Sequence, residues 1–456
     1  MTEPNPLATP ASLAIRPRDR DTILQSLRAG VVPRRGHQHI QVGRVDEVRA
    51  LAQDIDRIRD GGSAIRFVIG EYGSGKTFFL FVVRAIALEK GLVASTADLS
   101  PDRRLHATGG QARALYAELM ANLATRTKPE GGAVASVVER FVSTALQEAR
   151  ETGTAPATVL QARLGSLSEM PGGYDFAEVV AAYWRGHDEA DDRLKSDAVR
   201  WLRAEFTTRT DARKALGVRT IIDDESFYDQ LKLFARFVRL AGYGGFLVCL
   251  DELVNLYKLA NSQARTSNYE QILRILNDSL QGVSVGLGFL LGGTPEFLLD
   301  TRRGLYSYEA LRTRLTQNRF LDAPGGLGGG LRDFTGPVLH LANLSQEELY
   351  VLLRNLRHVH AGGDPARYAV PDEALVSFME HCAKRLGESY FRTPRSLIRA
   401  FLEMLAILDQ NPQADWRDLL GAVEISPDRD PNGLGLEPVA VEKKKGDDDD
   451  LATFTL

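Results

Sequence analysis

Four short runs rich in apolar residues punctuate the chain, at 65–69, 92–97, 245–250 and 287–292. Each has strand length and too little alternation for a half-exposed sheet, the pattern of parallel strands buried on both faces. A briefer run at 338–341 predicts one more strand. Elsewhere the apolar positions recur every three to four residues. Val48, Leu51, Ile55 and Ile58 mark one face of a helix opening near 42–47, and residues 77–90 repeat the period. Residues 101–240 read as mainly helical, with segments at 111–126, 133–151, 176–185 and 226–240 between Gly, Pro and charged breaks. After the third run a helix is expected at 252–260 through Leu253, Leu256 and Leu259, then a polar loop at 261–267 and a helix at 268–281. From Ser345 the chain turns helical again, opening with a Ser345…Glu348 capping box, and three or four helices run to about 423.

Strands alternating with helices predict an α/β fold with a parallel sheet core. The expected organisation is an N-terminal segment at 1–40, with a short helical pattern near 21–29, and a first part of the core at 41–100. A large α-helical insertion follows at 101–240, then a second part of the core at 241–344, a C-terminal helical lid at 345–425 and a charged, disordered tail at 426–456. Residues 323–331 are glycine-rich and read as mobile. The tail joins Lys443-Lys444-Lys445 to four aspartates at 447–450, and like-charge blocks do not fold on their own. An acidic-hydrophobic docking peptide is the alternative reading of its end.

The chemistry sits at the ends of the strands. The first run leads into Gly70-Glu71-Tyr72-Gly73-Ser74-Gly75-Lys76-Thr77, with Phe78 next in the helix expected at 77–90; this fits the P-loop pattern G-x-x-x-x-G-K-[ST]. The glycines allow a tight turn that points several N–H groups into one concavity, and the helix N-terminus adds partial positive charge there. Lys76 would reach the β- and γ-phosphates of a nucleotide, and the Thr77 hydroxyl would ligate Mg²⁺. The third run ends in Asp251-Glu252. Asp251 would hold Mg²⁺ and Glu252 would orient and partly deprotonate an attacking water, two jobs that need adjacent carboxylates facing the P-loop. An acid-rich helix start would give the same dipeptide. The fourth run ends in Gly293-Thr294-Pro295. Thr294 caps the next helix, with Pro295 in its first turn, or aims its hydroxyl at the γ-phosphate or the water.

Composition narrows the classes. A net charge of −4 gives no argument for nucleic acid or a membrane surface. Cys249 and Cys382 fall in predicted core elements and read as reduced thiols. Residues 1–12 are Pro-rich without an apolar signal core, and no run is long enough to span a bilayer, so the expected location is the cytoplasm, with no membrane partner.

With these residues in place, the chain resembles the AAA+ class of P-loop ATPases, near its initiator-type branch. Val42-Gly43-Arg44 with Glu47 resembles the box that packs near adenine. Residues 287–294 resemble the strand that carries a first sensor, here Thr294. Thr393-Pro394-Arg395 resembles the lid helix that presents a second sensor arginine. Arg312 and Arg314 lie where such proteins often carry an arginine finger. More closely, residues 30–425 resemble the BREX-system ATP-binding proteins of the BrxD type, through Pro33-Arg34-Arg35-Gly36, the P-loop as far as Leu80, Leu216-Gly217-Val218, residues 241–246 leading into Asp251-Glu252, and 290–296. The resemblance implies an anti-phage defence setting, ATP and Mg²⁺ as ligands, and a helicase or other defence-system protein as partner. It also implies an AAA+/ASCE-like core. A finger arginine has meaning only in a homo-oligomer.

The expected activity is Mg²⁺-dependent ATP hydrolysis coupled to movement of lid and insertion. Two alternatives stay open. One is a nucleotide-gated switch or scaffold with little turnover, against which Glu252 speaks. The other is a DNA-binding module using Arg16, Arg18, Arg20, Arg34 and Arg35, against which the interspersed acids and the lack of aromatic–basic alternation speak.

Overall fold

The computed structural model describes residues 15–318, 333–386 and 394–422. The tail and the glycine-rich 323–331 lie outside the described residues. Two helices come first, α1 (Pro17–Arg28) and α2 (His37–Ile40), followed by α3 (Val45–Arg59). The strands are β1 (Ala64–Ile69), β2 (Val93–Asp98), β3 (Phe246–Asp251), β4 (Leu287–Gly293) and β5 (Val338–His340). They form one parallel sheet in the order β2-β3-β4-β1-β5. Because β4 lies between β1 and β3, the loops leaving β1 and β3 can meet only across the tip of β4.

Alternate residues of the strands face opposite sides. On one side Val68, Leu247, Cys249 and Leu290 pack under α3 and α4 (Lys76–Glu89), against Leu51, Ile55, Ile58, Phe79 and Val83. Arg66 sits inside β1, where its charge is met by the buried Asp54 of α3 at 2.5 Å. Burial pushes the Cys249 thiol up to about 12, so it stays protonated. On the other side Phe67, Phe246, Val248, Phe289 and Leu291 share one core with seven helices between β2 and β3. These are α5 to α11, at Gln111–Ala121, Val134–Thr152, Pro156–Ser168, Gly173–Asp188, Asp192–Leu202, Arg209–Leu216 and Phe227–Leu240. Phe141 and Phe176 pack on Phe237 at 5.1 and 5.5 Å, and Phe234 carries the stack onto Phe246 of β3 at 5.6 Å. The inserted helices therefore build directly on the sheet face. Trp201 is buried edge-on to Phe176 within this packing.

Three helix boundaries differ from the expectation. The segment at 111–126 ends its helix at Ala121, because Ala124 turns back and exchanges backbone hydrogen bonds with Ala94 of β2 at 2.8 and 3.1 Å. The helix expected at 252–260 is the single turn α12 (Val254–Tyr257), since Glu252 adopts a left-handed backbone that no helix can propagate through. The expected polar loop 261–267 is instead the start of α13 (Ser262–Leu280): the Asn261 side chain accepts from Ala264 N at 3.0 Å and caps it. The helices 156–168, 192–202 and 209–216 were not singled out by the apolar period.

After β4 come α14 (Pro295–Leu299) and α15 (Glu309–Leu315). The C-terminal helices are α16 (Gln346–His360), α17 (Asp372–Leu386), α18 (Pro394–Gln410) and α19 (Trp416–Ala422). The Ser345/Glu348 capping box opens α16 with both of its hydrogen bonds made. These helices form a core of their own with the N-terminal helices: Ile23, Leu24 and Ile40 are buried among Leu349, Leu353, Phe378, Phe401 and Leu405. Arg20 Nε donates to His360 O at 2.8 Å, and Arg28 Nη2 to Leu402 O at 3.4 Å. Residues 17–40, the arm, thus share one body with the C-terminal helices, the lid. Among the described residues no helix is long and apolar enough to cross a membrane.

Candidate functional site

The turn after β1 is held by its own backbone and by its neighbours. Gly70 N donates to Gly293 O at 3.2 Å, and a Cβ at Gly70 would fall 2.5 Å from Ser74 Oγ and 2.8 Å from Leu341 O. Gly73 and Gly75 take φ of +80° and +81°, where glycine costs nothing. Gly75 opens α4, so the first amides of that helix face the concavity. Lys76 Nζ donates to Gly70 O at 2.8 Å and Glu71 O at 2.9 Å. Ser74 Oγ is buried with no hydrogen-bond partner among the described residues.

The acids at the tip of β3 meet this turn. Thr77 Oγ1 donates to Asp251 Oδ2 at 2.7 Å, and Asp251 Oδ1 accepts from Glu252 N at 2.8 Å. The approach passes over β4, where residue 292 is glycine; a Cβ there would overlap Asp251 Oδ1. Glu252 has φ of +58°, a non-glycine conformation costing about 1–3 kcal/mol that survives only where its surroundings impose it. It re-aims the carboxylate from the strand tip toward the P-loop. Asp98, at the end of β2, stands in register with Asp251 of β3. Dense surroundings, and secondarily the Asp251 charge, hold its carboxyl above the usual range.

Two adjoining cavities follow from this layout. The larger, about 210 Å³, opens along Gly73–Phe79 and is roofed by the arm (Leu27, Val31, Pro33) and the lid (Leu352, Ile398). The smaller, about 30 Å³, lies between Tyr72, Lys76, Asp251, Glu252 and Thr294. Tyr72, Lys76 and Glu252 border both. Thr294 Oγ1 accepts from Phe297 N at 3.4 Å, so it caps α14 while facing the smaller cavity. Arg44, also in a left-handed conformation, donates through Nη2 to Ser74 O at 2.6 Å and Ala342 O at 3.0 Å, tying the turn to the strand–lid junction. Gly43, in a left-handed conformation, packs against the Glu348 carboxylate, which a Cβ there would have to displace. Phe78 lines the larger cavity beside His37, whose ring stacks on Phe81.

The expected residues do not all converge. Tyr72 to Phe78, Arg44, Asp251, Glu252, Thr294 and Arg395 line the cavities, whereas Gly70, Glu71 and Gly43 line neither. Arg312 and Arg314 do not: Arg312 pairs with Glu309, and Arg314 bonds Asn277 and Ala310 O on α15. Of the arginines considered for DNA, Arg20 is spent on the lid and Arg35 pairs with Glu130. The arm residues around Val31-Val32-Pro33 were missed as cavity lining. Their only signal was an apolar triplet beside a cationic pair.

An apolar chamber adjoining an amide-lined turn takes a flat apolar ring at one end and an anion at the other. The hard oxygens of Thr77 and Asp251, meeting beside that turn, are the donor type that a magnesium ion accepts. Residues 15–424 match the family described as BREX system ATP-binding protein BrxC/D. The chain belongs to that family, and the match does not separate the BrxC from the BrxD type. No curated protein matches the chain.

Proposed function

We propose that this BREX-system ATP-binding protein binds MgATP across the two cavities and hydrolyses it, with an AAA+-like P-loop core. The reading is carried by the 2.7 Å hydrogen bond from Thr77 to Asp251, which joins residues 174 apart in sequence. The sheet order β2-β3-β4-β1-β5 suits such a core. The base would enter the chamber of arm and lid, and the phosphates the turn 70–77. Lys76 would exchange the Gly70 and Glu71 carbonyls for phosphate oxygens. Thr77 and Asp251 would hold Mg²⁺, which neutralises phosphate charge when bound. Glu252 would align a water with the γ-phosphorus and accept its proton, and Thr294 would fix that water from β4. Arg395 would approach from the lid. Arg312 or Arg314 would act on a neighbouring copy. The cycle would move the arm–lid body against the sheet, for a helicase or other defence protein to read in the cytoplasm.

Calorimetry with MgATP and a phosphate-release assay test this. Lys76→Ala is expected to lose nucleotide binding. Glu252→Gln is expected to keep it while turnover falls by about 10²–10⁴-fold. Full turnover in Glu252→Gln overturns the role of Glu252, and no MgATP affinity in the unmodified protein overturns the site.

A further inference from the structure

Arg395 is held by the phosphate loop itself. Its Nη1 donates to the Tyr72 hydroxyl at 3.0 Å, and its guanidinium carbon lies 5.6 Å from the centre of the Tyr72 ring. Its methylenes run over Gly30, the left-handed turn that closes α1, where a Cβ would sit 3.4 Å from Cδ. The arginine therefore touches the loop and the arm while belonging to α18, whose apolar face is in the lid core. Tyr72 borders both cavities, as Glu252 does.

An exposed arginine loses rotamer freedom when it grips a ligand, and a side chain already held loses less. We propose that Tyr72 is a positioning residue: its hydroxyl docks Arg395, and through it the arm–lid body, onto the phosphate loop, so that the guanidinium stands ready for the γ-phosphate. The inference rests on reading the cavities as an MgATP site. It assigns the third residue of the P-loop a task separate from the amides, lysine and threonine, which act on phosphate and metal directly. The hydroxyl is the part that matters, since a phenyl ring would keep the stacking and lose the acceptor.

The test is a double-mutant cycle on the full chain, with MgATP and MgADP affinities measured by calorimetry. Tyr72→Phe is expected to lower the ATP-to-ADP affinity ratio by about fivefold, the effect of one hydrogen bond. Arg395→Ala is expected to lower it further, and Tyr72→Phe added to Arg395→Ala to change nothing more, because the tyrosine acts through the arginine. An unchanged ratio in Tyr72→Phe, or the same decrease in both backgrounds, overturns the proposal while the site reading stands. Loss of ADP affinity equal to that of ATP also overturns it, since a merely structural defect would weaken both. No MgATP binding by the unmodified chain overturns the site reading and this inference together.

Discussion

The sheet side and the arm–lid side of the site are built on different principles. On the sheet side, residues 70–77, 251–252 and 292–294 leave neighbouring parallel strands at one level, and the ladder fixes their spacing. Backbone bonds and short side-chain contacts lock them, with Glu252 and Gly292 in conformations or spaces that admit little else. On the other side, 27–42, 344–352 and 394–398 come from distant parts of the chain and are brought together by a separate apolar core. Among the described residues, polar bonds that cross between the halves include Arg44 to Ser74, Arg395 to Tyr72 and, away from the cavities, Arg35 of the arm to Glu130. Such a division suits chemistry on the rigid half and closure on the other.

The sharpest way to break the comparison is Gly292→Ala. The added methyl would overlap Asp251 Oδ1 at the strand that separates the P-loop from the acids. Overpacking of this kind costs about 1–3 kcal/mol. A displaced carboxylate is expected to cost about 10²-fold in turnover. Thermal unfolding and phosphate release would measure the two. Wild-type turnover with a lowered midpoint would mean that the sheet half tolerates movement after all.

The same division explains what was legible in the sequence. The P-loop, the strand-end acids and Thr294 are local patterns, and the apolar runs placed their strands within a residue or two. Three features were not local. The inserted helices 192–202 and 209–216 are short, polar on most positions and bury only Ala198, Trp201 and Leu202 in one and Ala212 and Leu216 in the other, while 156–168 spreads its apolar residues around the helix. The turn at 252 needed a positive φ on a glutamate, which no propensity predicts. The arm, read as a separate N-terminal segment, shares its core with the lid through Ile23 and Leu24, a pairing across more than 300 residues that apolar period cannot signal. For the same reason the chamber lining at 31–33 escaped notice.

Ile23→Ala probes the other half. Ile23 is fully buried, and its Cδ1 lies 2.6 Å from where a Cβ of Gly36 would be, yet it lines neither cavity. Truncation is expected to destabilise the arm–lid body by about 2–5 kcal/mol. Hydrogen exchange should then lose protection in 17–40, 346–386 and 394–410 while β1, β3 and β4 keep theirs. MgATP affinity should fall although no contact to nucleotide was removed. Equal loss of protection in the sheet would show one cooperative body in place of two.

The smallest effect separates the halves by pH. His37 is buried in the arm between Phe78 and Phe81. Burial holds its pKa below the ordinary 6.5, the nearby Arg84 charge adds to this, and a hydrogen bond with Pro33 opposes it. His360, inside the lid, is lowered chiefly by burial too, against the attraction of Asp409. A histidine lowered in the folded state leaves the unfolded chain binding more protons between the two values. Its contribution is therefore complete above about pH 6.5 and is lost as pH falls toward and through the folded value, by at most about 1.4 kcal/mol per pH unit for each group. Denaturant unfolding between pH 7.5 and 5 should show this slope, and His37→Phe should flatten it by one proton's share. Because His37 bridges the arm to α4, acid should loosen the roof of the larger cavity before the sheet, and exchange in 37–40 should rise while that in 246–251 does not. An unaltered slope in His37→Phe would place the titrating group elsewhere and remove pH as a means of telling the two halves apart.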